Sequence, residues 1–427
     1  MRHAPWYRQA LSRGKGLRAA RWARCRMGHE GAKAMKIGIA GAGIGGLAAA
    51  ALLAQAGHAV RVFDRFDAPK PVGSGLVIQP VGLAVLDAFG AGDAARAMGA
   101  PLLALYGDEV AGRVVLDVAY GHEPARRGLG IHRAALFAAI NARALALGAT
   151  LVPGHAVTGR AGQHLCFDCG GQEGPFDLIV DACGAGSPLS PLRARPLGYG
   201  AIWATVPWPG ETTLPRDRLS QRYRRADRML GVLPVGRMPG GHGQDMAAVF
   251  YSLRVDRIDA WRAGDFAAWR AEAATLWPEI APFLHDGLGP DDFTFARYTH
   301  GSLSAPWSEG IAHIGDAAHR ASPQLGQGAN MALLDALALA RALERARGEE
   351  ALRLYAGARR WHVAAYQMMS AAFTPQYQSD SAVLPVLRDR VLAPLSRIWP
   401  IPAILTRLVC GDVVPPMPPL SPPGARV

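Results

Sequence analysis

The chain has 427 residues, half of them hydrophobic and 19% charged, with five cysteines. That size and apolar content exclude a disordered or collagen-like chain and imply two or three domains, while an odd, scattered cysteine set points to a reducing, cytoplasmic compartment rather than a disulfide framework. The net charge of +12 is no nucleic-acid signature: residues 1–34 carry nine basic side chains against Glu30, and the remainder holds 37 basic and 33 acidic ones with no basic stripe.

Residues 1–34 are expected to form a disordered basic extension, with Met35 as the natural start. The next segment, Ile37 to Ala54, is 18 uncharged residues ending near Ala54-Gln55-Ala56, which hydropathy alone reads as a signal peptide or membrane span. The glycines at 38, 41, 43, 45 and 46 argue against both. A strand around Ile37 and Ile39, a turn, an Ala-rich helix from Leu47 to Gln55 and a second strand ending in Asp64 account for every residue of the run. Gly41, Gly43 and Gly46 make G-x-G-x-x-G. In that pattern the first glycine permits the tight turn, the second admits a pyrophosphate to the backbone N–H groups, and the third lets the helix lie close to the sheet. The helix N-terminus favours the phosphates, and Asp64, 18 residues after Gly46, sits where an acid accepts ribose hydroxyls. The fingerprint does not distinguish FAD from NAD.

Cys166-Phe167-Asp168-Cys169 is C-x-x-C without a second pair, so it reads as a hairpin turn and no metal site is expected. Phe176 to Val180 is a strand that runs into Asp181-Ala182-Cys183-Gly184. Residues 196–295 lack a dinucleotide signature and contain strand-like stretches (201–206, 247–253), which suggests a substrate domain with Trp203, Tyr223, Phe250 and Tyr251 as pocket candidates. Another strand, Ile311 to Ile314, ends in Gly315-Asp316. A loop runs from there to Asn330, and a helix continues to about Arg347. Residues 361–411 read as helical, with Leu387, Val391, Leu395 and Ile398 on one face flanked by Arg388, Arg390, Arg397 and Arg407. That face is expected to pack over the active site, with peripheral membrane contact as the alternative. A proline-rich tail follows from Pro415.

The Gly315-Asp316 strand end and the Pro323-x-x-Gly326-x-Gly328-x-Asn330 loop, 274 residues after the first fingerprint, resemble the class A flavoprotein monooxygenases, the p-hydroxybenzoate hydroxylase and ubiquinone-hydroxylase superfamily. The resemblance spans most of residues 35–345. It implies an α/β fold: a Rossmann-type FAD-binding domain (35–195 and 296–360), an inserted sheet-rich substrate domain (196–295) and a C-terminal helical segment with the tail (361–427). It also implies non-covalent FAD, with NAD(P)H as a transient co-substrate and O2 and a small aromatic or quinone-like molecule as substrates. The product would be a hydroxylated ring, with oxygen delivered from a flavin hydroperoxide. On this resemblance Gly41, Gly43, Gly46 and Asp64 hold the dinucleotide and Arg133 contacts FAD near its phosphates. Asp316 accepts a ribityl hydroxyl, and Pro323, Gly326, Gly328, Ala329 and Asn330 line the ring. Gly75 and Gln79 lie near the substrate. His319 either touches the flavin or is structural, and Asp335 anchors the flavin loop. Where the family has Gly-Ala-Asp-Gly, this chain has Cys183 at the acid position and Asp181 two residues earlier. The expectation is that Asp181, from that shifted position, supplies part of the coupling to nicotinamide; the alternative is that it merely caps the turn that follows. The alternatives are another FAD-fold enzyme (halogenase, reductase or cyclase) and a non-catalytic flavin-binding module.

Overall fold

The computed structural model describes residues 34–67, 74–121, 123, 126–241 and 243–417. The expectations for the basic extension and for the tail beyond Met417 concern residues outside that set.

The apolar run that resembled a membrane span is divided between β1 (Lys36–Ala40) and α1 (Ile44–Gln55), and β2 (Ala59–Phe63) pairs in parallel with β1. Ile37 and Ile39 are fully buried, as is every alanine from Ala48 to Ala51. A parallel strand covered on both faces needs such a continuous apolar run, and a helix lying flat on a sheet needs small side chains. Among the described residues, no helix is long and apolar enough to cross a membrane.

The first sheet has six strands in the order Trp307–Ser308, Ile311–His313, Leu178–Asp181, β1, β2 and Thr150–Val152, parallel except for its first pair. Strand order reverses beside β1, so the crevice at the ends of β1 and Leu178–Asp181 is the topological switch point where an open α/β sheet takes its ligand. A second sheet of eight strands is built mainly from residues 195–302. It also takes in Ala104–Glu109 and Val114–Ala119, with Ala104–Glu109 running parallel to Arg218–Arg224. The sheet-rich part therefore draws on an earlier piece of chain than 196–295 alone. Helices between 258 and 284 cover one face through Trp208, Trp269 and Phe283. A small sheet, Gly75–Ile78, Gly128–His132 and Ala100–Leu102, packs against Arg228–Arg237 of the second sheet.

The 30-residue helix Gly348–Tyr377 packs on the helix Gly328–Leu343, and Ile401–Cys410 closes the described chain. The intervening segment departs from expectation. Leu387, Val391, Leu395 and Ile398 face outward rather than over the active site, while Arg388, counted among the flanking cations, is buried. A π turn at Arg388–Leu392 rotates the segment and breaks the simple helical period.

Candidate functional site

Gly41 sits at the end of β1 with φ +99°, and a Cβ there would lie 2.5 Å from the Ala182 carbonyl oxygen. Only glycine meets both constraints. On Gly46 a Cβ would overlap the Gly41 carbonyl oxygen. Gly43 is different, since a Cβ there would meet nothing within 4 Å. Its surroundings are open in the way a bound pyrophosphate requires. Asp64 tightens this turn: its carboxylate accepts the Ala42 N–H (2.7 Å) and the Phe66 N–H (3.1 Å). The acid thus holds the glycine loop while remaining half-buried at the cleft.

Arg133 opens the helix Arg133–Ala146, which His132 caps by accepting the Ala134 N–H at 3.1 Å. Its guanidinium lies within electrostatic reach of the Asp316 carboxylate. Both side chains keep accessible surface, yet both are set deep enough that desolvation raises the pKa of Asp316 and lowers that of Arg133. Among the described residues the Asp316 carboxylate takes no hydrogen bond. Opposite it, the helix Gly328–Leu343 begins without a side-chain cap or an acid in its first turn, and a Cβ on Gly328 would meet nothing within 4 Å. Unspent donors at a helix start, an unspent carboxylate, an accessible guanidinium and open space at two glycines fit a long, anionic, hydroxyl-bearing cofactor. FAD has that chemistry.

The loop itself is braced from behind. Pro323 starts a short 3-10 turn and Gly326 ends it with φ +61°. Ala329, half-buried, lies in the first turn of the helix that follows. Asn330 is fully buried, and its amide is spent on the backbone: it accepts from Gln79 N–H (2.8 Å) and donates to Val77 (3.1 Å) and Gly326 (2.9 Å). It is the brace of the loop rather than a free donor to a ring. His319 is likewise buried, with Nε2 2.6 Å from Asp335. Asp335 also accepts the Gly315 N–H (2.9 Å) and Arg359 Nε (2.7 Å). Burial alone would raise its pKa, but the bonds to His319 and Arg359 outweigh burial and hold the carboxyl well below its ordinary value.

Sequence reasoning missed Arg359, His362 and Tyr120. Arg359 donates onward to the Pro416 carbonyl (2.7 Å) and to His362 Nδ1 (3.2 Å), and His362 Nε2 meets the Gly411 carbonyl (3.0 Å). An arginine only donates, so Nδ1 must keep its lone pair and His362 is neutral, its pKa lowered to about 3 by burial and by Arg359. The unfolded chain protonates this histidine near its ordinary 6.5, whereas the folded one resists protonation down to about 3. Its contribution to stability is therefore complete above pH 6.5 and is lost progressively as pH falls through that interval. Urea denaturation from pH 8 to pH 4 should show stability falling below about pH 6.5, with a shallower fall in His362→Gln.

Asp181 takes the turn-capping role, not the one toward nicotinamide. It is fully buried and accepts from the Cys183 N–H (3.1 Å) and the Ser187 hydroxyl (2.7 Å), with His313 Nδ1 at 2.8 Å. Those bonds occupy both oxygens and make it the brace of the 182–187 turn rather than an acceptor for nicotinamide. Burial and Asp181 push the Cys183 thiol well up, so it is neutral. Cys166, Cys169, Cys183 and Cys410 are free thiols, and no group of three metal-ligating side chains occurs among the described residues. Of the pocket candidates, Tyr251 packs on Trp269 in the covered face and Tyr223 lies under Arg388, while Trp203 stacks on Phe250 at 4.5 Å.

A family model described as an FAD binding domain matches residues 34–129 and 299–370. A putative 2-heptyl-3-hydroxy-4(1H)-quinolone synthase of Rhodococcus erythropolis is 31% identical over 320 residues, covering 72% of this chain and 79% of that protein. A 2-heptyl-3-hydroxy-4(1H)-quinolone synthase of Mycobacteroides abscessus is 26% identical over 390 residues, covering 84% and 94%. The fold matches Klebsiella pneumoniae HpxO, solved with FAD and uric acid, at TM-score 0.73 and 21% identity, over 91% of this chain and 98% of that one. From the glycine turn to the Asp316 cleft and these relatives, one conclusion follows: the chain belongs to the class A flavoprotein monooxygenases, FAD-dependent oxidoreductases that hydroxylate aromatic and heteroaromatic small molecules.

Proposed function

We propose that the substrate is a neutral heteroaromatic of the alkylquinolone kind, presented to non-covalently held FAD with NAD(P)H as a transient reductant and O2 as the oxygen source. The carrying observation is Gln79. Its side chain is buried, Tyr120 donates to its Oε1 at 2.6 Å, and its Nε2 has no partner among the described residues. That orphaned N–H lies next to Gly326, where a Cβ would be 3.3 Å from it. With Tyr120 donating to Oε1, the N–H end of the amide is the one left over, so the site offers a donor to a carbonyl or ring-nitrogen acceptor. Around Tyr120 the side chains are apolar: Val77, Leu105, Val118, Leu233 and Val235. An uncompensated buried donor costs free energy unless a ligand accepts from it, and such surroundings suit a neutral ring with an alkyl substituent. The first relative, named for a heptyl quinolone, supports the same class.

In this reading Gly41, Gly43, Gly46, Asp64 and Arg133 hold the pyrophosphate end and Asp316 the ribityl chain. Pro323 and residues 326–330 shape the wall beside the ring, and Gln79 orients the substrate. Residues 35–103, 120–195 and 296–360 form the cofactor part, and 196–295, joined by 104–119, form the substrate part. When bound and reduced, FAD supplies the activation of O2; the protein binds the ring, excludes water and holds the substrate acceptor. The chain would work in the cytoplasm in peripheral contact with a membrane, through the outward apolar face at 383–404.

Product analysis across alkylquinolones, hydroxypyridine carboxylates and phenols tests the substrate class, and turnover confined to the carboxylates would contradict it. Gln79→Leu should raise KM for the quinolone about ten-fold, with FAD content unchanged. Loss of FAD content instead would contradict the assignment of this donor to the substrate.

A further inference from the structure

Three residues of the segment 383–404 are buried against the body, and most of its apolar side chains are exposed. Pro385 and Ala393 are buried. Arg388 is buried between Tyr223 and Tyr377, its guanidinium 5.0 and 5.1 Å from the ring centres, and donates to the Gln376 carbonyl (2.8 Å) and to Asp389 (2.6 Å). That fixes which side is inward. The outward side carries Val383, Val386, Val391, Leu395, Ile398 and Trp399, of which Trp399 is 83% exposed. Apolar side chains clustered on one exposed segment mark an interaction surface.

Interleaved with them is an open hollow of about 530 Å³, lined by Arg113, Val114, Asp389, Arg390, Pro394 and Arg397. Its only carboxylate, Asp389, is engaged by Arg388. Arg397 reaches across to the Val114 carbonyl at 3.4 Å and ties the hollow to the edge strand of the large sheet. Three guanidiniums in one hollow suit a phosphate, which each can bind through two parallel N–H bonds. A soluble phosphate ester would leave the apolar rim unused. A second copy docked about a two-fold axis would bring the arginine cluster close to its own image, at a repulsive cost. An anionic bilayer satisfies both halves: phosphates for the arginines, and an interface where tryptophan and branched aliphatic side chains rest in the headgroup layer.

We infer that 383–404 is a lipid-docking face in which Arg113, Arg390 and Arg397 form a site for the phosphate of an anionic phospholipid. This deepens, and rests on, the peripheral-membrane reading above. An alkyl-substituted aromatic partitions into bilayers, so docking here would place the enzyme where such a substrate collects.

The test is cosedimentation of the FAD-loaded full chain with vesicles of phosphatidylcholine alone or mixed with phosphatidylglycerol. Binding should require phosphatidylglycerol, weaken about thirty-fold in the Arg390→Gln/Arg397→Gln double variant, weaken also in Trp399→Ser, and persist in millimolar inorganic phosphate. Flavin absorbance and turnover of a soluble substrate should be unchanged in both variants. Undiminished binding by the double variant would overturn the arginine site and leave the membrane reading standing. Absence of binding to either vesicle would overturn both. Release by inorganic phosphate alone would reduce the hollow to a simple anion site and overturn the lipid assignment.

Discussion

Asp335→Ala should destabilise the protein by about 3–5 kcal/mol, the range for removing one partner of a buried ion pair. Asp335 is fully buried and takes three hydrogen bonds, from Gly315 N–H, His319 and Arg359. Its removal leaves the Arg359 guanidinium, 1% exposed, with only neutral acceptors. It also frees the Gly315-Asp316 turn from the helix behind it. Urea denaturation should show the loss, and Asp335→Asn should recover part of it by keeping one acceptor. FAD affinity should fall less than stability, because the carboxylate does not face the cleft. A variant as stable as the parent would mean that the network does not hold the loop.

Asp316→Ala should act in the opposite sense, sparing the fold and weakening FAD by about ten- to hundred-fold. Its carboxylate braces nothing among the described residues, keeps accessible surface and lies within electrostatic reach of Arg133. Losing a charge-assisted hydrogen bond to a ribityl hydroxyl costs roughly 1.5–3 kcal/mol. Burial raises the pKa of this carboxylate in the free protein, so FAD affinity in the parent should begin to fall on acidification at a higher pH than for an ordinary aspartate. Gly43→Val is the companion experiment. A Cβ at Gly43 meets nothing, so the apoprotein should melt as the parent does while FAD binding is lost. In Gly46→Ala the Cβ overlaps the Gly41 carbonyl, and the fold itself should suffer. Equilibrium titration with FAD, paired with thermal melts, separates the three variants.

What could be read in advance was what local constraints impose. Gly46 against the Gly41 carbonyl and Asp64 against the Ala42 and Phe66 N–H groups each answer to neighbours within about two dozen residues, and their spacing displays the requirement. The Gly315-Asp316 loop was legible through resemblance, since one acid after a strand has no unique meaning alone. Arg359 and His362 were not legible, because they reach the loop from a helix turn whose pattern reads as an ordinary half-polar face. Tyr120 meets Gln79 only because Val114–Ala119 joins the large sheet, a pairing set by tertiary packing. At 387–398 the hydrophobic period was real, but period alone does not say which side faces inward, and the π turn with buried Arg388 reversed the expectation. For Asp181, the strand running into residues 181–184 placed the acid beside the turn at Cys183. The partners Ser187 and His313, which consume it, lie outside that pattern.

The measurement closest to the central claim is turnover of the FAD-loaded protein with NAD(P)H, isotopically labelled O2 and a 4-quinolone bearing an alkyl chain, read by mass spectrometry. The account predicts that one labelled oxygen atom appears in a hydroxylated ring, with consumption of NAD(P)H tied to product and with the rate at low substrate depressed in Gln79→Leu. Hydroxylated product carrying oxygen from water, or NAD(P)H oxidation with no oxygenated product from any member of the aromatic panel, would contradict it.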